Sequence, residues 1–365
     1  MVSREQTRQV TVGNVPVGGG APVSVQTMTK TDTRDVEATS AQIDEVMAAG
    51  CDIVRLAVPD EAAARALEEI RGRTQAPLVA DIHFDHRLAV RALDAGVDGL
   101  RINPGNIGGV DRVREVVAAA QGRRVPIRIG VNAGSLERHI EQQHGGPTPE
   151  ALVESALGHV RILEKLGYEE IKISVKASDV VRTVAAYRLL SERTPYPLHV
   201  GVTEAGTFLA GTVRSCVAMG ILLSEGIGDT IRVSLTDTPD REVRVGIEML
   251  RALGLREPGP NVISCPTCGR IEVDVVSLAQ KVEASLEDLY RREPARPRPK
   301  VAVMGCMVNG PGEARDADIA LAGGKHRFAL YVDGQHVKSV PEDSALSALV
   351  EAVSAWQPAS KRRQD

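Results

Sequence analysis

Aromatic side chains are nearly missing from this chain: Phe, Tyr and Trp together make up 2% of 365 residues, with a single Trp. A core must therefore rest on Val, Ile, Leu and Ala, a bias that suits buried parallel strands packed under Ala-rich helices. A basic excess is missing too. The net charge of −4 excludes a general nucleic-acid coat, whose phosphate contacts need surplus Lys and Arg, so any cationic pocket has to be local. No stretch approaches the ~20 apolar residues of a membrane-spanning helix, and the N-terminal MVSREQTRQVTV carries no apolar h-region. The expectation is a cytoplasmic protein without signal peptide, membrane or nucleic-acid partner. Cysteine is scarce, with five residues, and in such a chain five favour metal or redox chemistry over structural disulfides. Cys51 (AAGCDIVRL) and Cys216 (VRSCVAMG) sit in apolar surroundings, as packing residues do. Cys265, Cys268 and Cys306 remain.

What is present is a rhythm. Short β-rich runs end in polar or Gly-rich turns, and an Ala/Leu-patterned helix follows each. The runs begin at Pro22, Asp52, Pro77, Gly99, Pro126, Glu170, Pro197 and Asp229, which makes eight strand candidates. Helical patterns such as EAAARALEEIRG and EALVESALGHVRILEKLG lie between them, many closed by a Gly that tolerates the left-handed C′ conformation. Eight such units over roughly 250 residues is the size of a (β/α)8 TIM barrel; a doubly wound sheet is the alternative, but no G-x-G-x-x-G follows the first strand. The connection SLERHIEQQHGGPTPE, Ser135 to Glu150, breaks the rhythm, as lids and binding segments do. After REPGPN comes a smaller α+β module with one long helix (VVSLAQKVEASLEDLYRR) and the strands VAVMG, DIALAG and RFALYVDG. The expected domains are 1–257 and 258–365.

Side chains at the C-terminal strand ends of such a barrel face its mouth. The candidates are Arg55, Asp81, His83, Arg101, Asn103, Arg128, Asn132, Lys172, Ser174, Lys176, Thr203, Glu204, Arg232 and Ser234. Strand alternation forbids all of them from facing the same way, and any one Arg alone reads most simply as a solvated end. Arginines on four strands and lysines on a fifth, with few acids to pair them, point instead to a bound polyanion such as a diphosphate, which Arg forks match bidentately. Asp81 is read as orienting an Arg and Glu204, in TEAG at a strand end, as a proton carrier. His83 is either a ligand contact or a core histidine.

SCPTCGR is half of a metal site. A zinc ribbon needs a second knuckle, which MGCMVNG is not, and His326 and His336 have no ligand spacing. Three thiolates, Cys265, Cys268 and Cys306, can hold three irons of a [4Fe–4S] cluster. Glu313, across the NGPG turn, is the candidate fourth ligand, and a carboxylate there is more replaceable than a thiolate. An exposed Glu313 with water on the fourth iron stays open.

The motifs VGNVPVGG, VQTMTKTDT, ADIHFD, LRINPGNIG, RIGVNAGSLE, SVKASD, LHVGVTEAG, GIGDTIRVSLT, SCPTCGR and VMGCMVNGPGEA, in this order from about Val10 to beyond Gly324, resemble the bacterial 4-hydroxy-3-methylbut-2-enyl diphosphate synthase family in its two-domain form. The resemblance implies a dihydropteroate-synthase-like barrel followed by a sulfite/nitrite-reductase-like α+β iron–sulfur domain. It implies a [4Fe–4S] cluster on Cys265, Cys268, Cys306 and Glu313, and substrate contacts at Arg55, His83, Arg101, Arg128, Asn132, Lys176 and Ser234. Glu204 and Glu313 are the implied catalytic residues. The implied reaction is the two-electron reductive ring opening and dehydration of 2-C-methyl-D-erythritol 2,4-cyclodiphosphate to (E)-4-hydroxy-3-methylbut-2-enyl diphosphate, in isoprenoid biosynthesis. Reduced flavodoxin or ferredoxin is the implied donor and a homodimer the implied assembly, one subunit's cluster domain closing over the other's barrel. The rival readings are a barrel transferase with a structural zinc module and a non-enzymatic zinc-binding interaction protein.

Overall fold

The computed structural model describes residues 3–103, 107, 109–271, 273–306, 312 and 316–358. The chain divides into two compact units, Met1–Arg256 and Glu257–Asp365. No helix among the described residues is long and apolar enough to cross a membrane.

The first unit opens with a hairpin, β1 (Val10–Val12) and β2 (Val15–Val17), which the strand–helix rhythm did not foretell. Eight parallel strands follow: β3 (Ser24–Met28), β4 (Ile53–Ala57), β5 (Leu78–Asp81), β6 (Gly99–Ile102), β7 (Ile127–Asn132), β8 (Ile171–Lys176), β9 (His199–Val200) and β10 (Thr230–Ile231). Their order is β8-β7-β6-β5-β4-β3-β10-β9. A bridge from Ile173 to Leu198 closes the ring, with Thr203 N donating to Ala177 O at 3.1 Å. Every one of the eight anticipated runs is a strand of this barrel.

Its helices are α1 (Val36–Ala48), α2 (Glu61–Arg73), α3 (His86–Asp94), α4 (Val110–Gln121), α5 (Arg138–His144), α6 (Pro149–Lys165), α7 (Val180–Ser191), α8 (Phe208–Ser224) and α9 (Pro239–Ala252). An aspartate stands at the N-cap of α1, α2, α3 and α7, where Asp35, Asp60, Asp85 and Asp179 accept backbone N–H groups at 2.7–3.0 Å. That satisfies donors the first turn leaves unpaired and fixes each strand-to-helix turn. The long connection after β7 is ordered locally: α5 lies within it, and Glu137 accepts from Ser155 of α6 at 2.7 Å.

Pleat alternation sorts the strands into two faces. One set, including Val54, Leu56, Leu78, Leu100, Ile102, Ile129, Ile173 and Val200, is fully buried and packs with the helices in one core. The other set faces the barrel axis. At its N-terminal end, Ile53 and Val79 pack on Val10, Val12 and Val17 of the hairpin, which plugs the barrel floor with apolar surface.

The second unit is a five-stranded mixed sheet, β11 (Asn261–Ser264), β12 (Lys300–Met304), β13 (Ile319–Gly324), β14 (Arg327–Val332) and β15 (Gln335–Pro341), in sequential order. The helices α10 (Val275–Arg292) and α11 (Ala345–Ala355) cover it. β11 and β15 are additions to the strands expected from pattern.

Candidate active site

Register places the predicted charges on the axial face of the barrel. Arg101 of β6 pairs with Arg128 of β7, and Arg128 with Lys172 of β8; Asn132 pairs with Lys176. Arg55, Asp81, Arg101, Arg128, Lys172, Ser174 and Lys176 are all buried. A closed barrel turns every second residue inward, so positions that are merely periodic in sequence become neighbours across a narrow interior.

Asp81 is the hub. Arg101 Nη1 donates to its Oδ1 at 3.1 Å, Arg55 Nε lies 3.7 Å from Oδ2, and His83 Nε2 lies 3.5 Å from Oδ2. Burial alone would push this carboxyl up, but Arg55, His83 and Arg101 hold it well below the usual carboxylate range. The orienting role expected of Asp81 agrees with this geometry. His83 is no core histidine: its side chain is 54% exposed at the rim, with Nε2 3.2 Å from Arg101 Nη1.

The cations are held by partial partners. Arg101 Nη2 donates to Gly130 O at 3.1 Å, Arg128 Nη1 to Ser174 Oγ at 2.5 Å, and Arg55 Nη2 contacts Met28 Sδ at 2.9 Å. Glycines at positions 130 and 201 leave space that neighbouring chain fills. A Cβ on Gly130 would come within 2.8 Å of Arg101 Nε, and one on Gly201 within 2.5 Å of the Arg232 backbone O and 2.9 Å of Lys176 Nζ.

Even so, Nε of Arg101, Arg128 and Arg232 is buried without a hydrogen-bond partner. Burial, opposed by Asp81 and reinforced by Arg232 and Arg101, brings the Arg55 guanidinium down to about 9. Burial and neighbouring arginines lower Arg128 and Lys176 strongly. An interior of this kind is complementary to a polyanion.

Arg232 belongs to this set more closely than strand-end counting conveyed, since it acts on both Arg55 and Lys176. Its signal in the sequence was the two-residue spacing Thr230, Arg232, Ser234. The segment after β10 that carries Arg232 and Ser234 is anchored by Glu242 of α9, which is buried. Its Oε1 accepts Leu235 N at 2.9 Å and its Oε2 accepts Thr27 Oγ1 at 2.7 Å.

Glu204 follows β9, is exposed, and has φ +52°. A non-glycine residue there is held in a conformation that costs about 1–2 kcal/mol, a feature that concentrates at functional sites.

In the second unit, β11 and β12 are parallel neighbours, and Cys265 and Cys306 emerge just beyond their C-terminal ends. Cys265 N donates to Val303 O at 3.2 Å, and Gly305 N donates to Cys265 Sγ at 3.3 Å. A Cβ on residue 305 would meet that sulfur at 3.3 Å and Ile271 Cγ2 at 2.9 Å, so only glycine lets the two strand ends approach. Cys268 is exposed in the intervening turn, where Thr267 takes φ +65°. Among the described residues no three His, Cys, Asp or Glu side chains form a ready-made ion cage, and Glu313 lies outside them. The donor set nevertheless suits an iron–sulfur group: soft sulfur ligands, with a backbone N–H already aimed at Cys265. Cys51 and Cys216 take no part; burial pushes the Cys51 thiol up to about 12 and also raises Cys216.

The sequence matches the GcpE TIM-barrel domain over residues 7–247 and the GcpE protein C-terminal domain over residues 261–355. It is 59% identical over 350 residues to a Geobacter sulfurreducens protein named 4-hydroxy-3-methylbut-2-en-1-yl diphosphate synthase (flavodoxin), covering 96% of this chain and 98% of that one. A Maridesulfovibrio salexigens protein of the same name is 56% identical over 349 residues, covering 95% of each. Among solved structures, dihydropteroate synthase from Stenotrophomonas maltophilia superposes with a TM-score of 0.49 at 14% identity, over 68% of this chain and 97% of that one. With both of its units matched and near-full-length identity above one half, this chain belongs to the GcpE family.

Proposed function

We propose that the chain is a flavodoxin-dependent 4-hydroxy-3-methylbut-2-enyl diphosphate synthase, the activity its relatives are named for, and that its substrate is 2-C-methyl-D-erythritol 2,4-cyclodiphosphate in isoprenoid biosynthesis. The observation that carries the substrate class is the axial cluster of buried, under-partnered cations around Asp81. In the reaction two electrons and two protons enter, the C2–O ester bond of the ring opens, and the diphosphate stays on C4. The C3 hydroxyl leaves as water, and a C2–C3 double bond forms.

Arg55, Arg101, Arg128, Lys176 and Arg232 neutralise the diphosphate, while Asn132 and Ser234 offer it hydrogen bonds and His83 closes the rim. Asp81 keeps Arg55 and Arg101 in place between turnovers. Glu204 delivers the proton that lets the C3 oxygen depart as water.

Cys265, Cys268 and Cys306 would hold a [4Fe–4S] cluster, with Glu313 as fourth ligand. When bound, such a cluster passes the flavodoxin electrons on one at a time. A homodimer is part of the proposal. Helix α8 carries one charge, Arg214, in 17 residues and leaves Leu209, Val213 and Val217 exposed; a helix apolar on all sides expects cover on both, and a second copy supplies it.

The test is anaerobic reconstitution with iron and sulfide, followed by a turnover assay with the cyclodiphosphate and reduced flavodoxin. Product formation is expected. Zinc without iron or sulfide in the anaerobically purified protein, with no turnover, would return the reading to a barrel transferase with a structural zinc module.

A further inference from the structure

Below the clamp, the barrel holds polar groups that the proposed reaction does not use. Lys172 of β8 and His199 of β9 are 3% and 0% exposed. Lys172 Nζ has no hydrogen-bond partner, and neither ring nitrogen of His199 has one. The charged groups acting on Lys172 are Arg128, its register partner on β7, and Asp229, just before β10. Both oxygens of Asp229 already accept, from Leu198 N at 2.7 Å and from Thr7 Oγ1 at 3.1 Å. Lys172 and Lys176 both bear in turn on His199. An ammonium group has three protons to place, and here none is accepted. Guanidinium groups keep their charge under such pressure, whereas a lysine readily gives up its proton.

We propose that Lys172 is a positioning residue that sheds its proton in mildly alkaline solution while the barrel is empty and takes one up when an anionic ligand enters the mouth. The inference rests on the reading of that mouth as a diphosphate site. Negative charge placed among the arginines reverses the local field, and the low dielectric that disfavours an isolated ammonium strengthens its attraction to the ligand. The added charge pulls the ligand inward through Arg128, and it exists only while there is a ligand to pull.

In the ligand-free protein, burial and then Arg128, opposed by Asp229, bring Lys172 down to about 7. The same burial, with neighbouring cations, lowers Lys176 and His199. The sign follows: binding consumes protons between about pH 7 and the ordinary lysine value near ~10, and affinity falls as pH rises through that window.

Isothermal titration of the oxidised holoprotein with the cyclodiphosphate, without reductant and near pH 8, tests this in buffers of different ionisation enthalpy. Each phosphorus of the ligand carries one strongly acidic hydroxyl, so the ligand itself does not titrate there. The wild type is expected to take up at least ~0.8 proton per site, and Lys172→Met to take up about 0.8 fewer. Tight binding with no proton uptake by the wild type, or an unchanged uptake in Lys172→Met, overturns the inference and leaves the anion site standing. Failure of both the cyclodiphosphate and inorganic pyrophosphate to bind overturns the anion site and the inference together. Absence of proton uptake by the wild type overturns the inference even where the variant does not fold.

Discussion

Replacing Asp81 by Asn removes the carboxylate around which Arg55, Arg101 and His83 are arranged. At 3.1 Å from Arg101 and 3.7 Å from Arg55, and with an effective dielectric of about 20, the gross attractions are about 5 and about 4 kcal/mol. Breaking one side of a buried pair costs about 3–5 kcal/mol, because the remaining charge stays buried. Asn keeps the shape and one acceptor, Arg101 keeps Gly130 O, and Arg55 keeps Met28 Sδ. These residual contacts put the expected loss near 3 kcal/mol, which in a barrel of this size lowers the melting midpoint by about 6–12 °C. Calorimetry of the ligand-free protein near neutral pH and low salt measures it.

Pyrophosphate should raise the Asp81→Asn midpoint more than that of the wild type, since it supplies the missing negative charge. The pH dependence has a definite sign. A carboxyl held low in the folded state contributes stability that is present above the unfolded value of ~3.9 and lost as pH falls through the folded value. The deficit of the variant should therefore persist to about pH 4 and shrink only below it. A midpoint within about 2 °C of the wild type, with no added benefit from pyrophosphate, would refute the claim that Asp81 organises the clamp.

Other outcomes follow from single contacts. Glu204→Gln should lower kcat by about 100-fold or more with little change in KM, while Glu204→Gly, relieved of its φ of +52°, should gain about 1 kcal/mol of stability and lose the same activity; steady-state kinetics and melting curves would show both. Asp229, raised to about 6 by burial despite accepting from Leu198 N and Thr7, binds protons in the folded state that the unfolded chain releases. Stability therefore falls as pH rises from ~4 to about 6, and Asp229→Asn should stabilise the protein by about 1–3 kcal/mol at pH 7.5 but not at pH 4, as denaturant titrations at the two pH values would report. Cys306→Ser should abolish iron and sulfide incorporation in reconstitution, measured by chemical assay, while the melting of the barrel unit stays put. Val213→Asp on α8 should yield a monomer in analytical ultracentrifugation, and a persistent dimer would place the interface elsewhere.

Much of this was legible in the chain. The eight strand runs were readable because parallel strands buried on both faces are nearly continuous apolar segments broken by regular turns. The cysteines stood out by scarcity and by CPTC spacing. The hairpin β1–β2 was not legible: its strands have three residues each, too few for a period to show, and they are held by Ile53 and Val79 from distant strands. The helix α5 was hidden in the same way, since a seven-residue helix draws its stability from what it packs against. His83 was left between two readings because exposure is a property of the folded rim.

Sequence by itself determined the alternation, the number of βα units, the residue types of the clamp and the thiolate donors, because these depend on local periodicity and chemical identity. Tertiary structure decided which charges meet. Strand pairing makes Asp81 a shared partner of Arg55 and Arg101, and barrel closure brings Arg232 to Arg55 and Lys176 while Lys172 and His199 stay without a hydrogen-bond partner. Gly130 reads as an ordinary strand residue until Arg101 of the adjacent strand needs its space, and Gly201 as an ordinary turn residue until the Arg232 backbone and the Lys176 side chain close on it. The physical reason is that charge pairing and desolvation depend on distance through space, and residues more than 170 positions apart become neighbours only when the eighth strand meets the first.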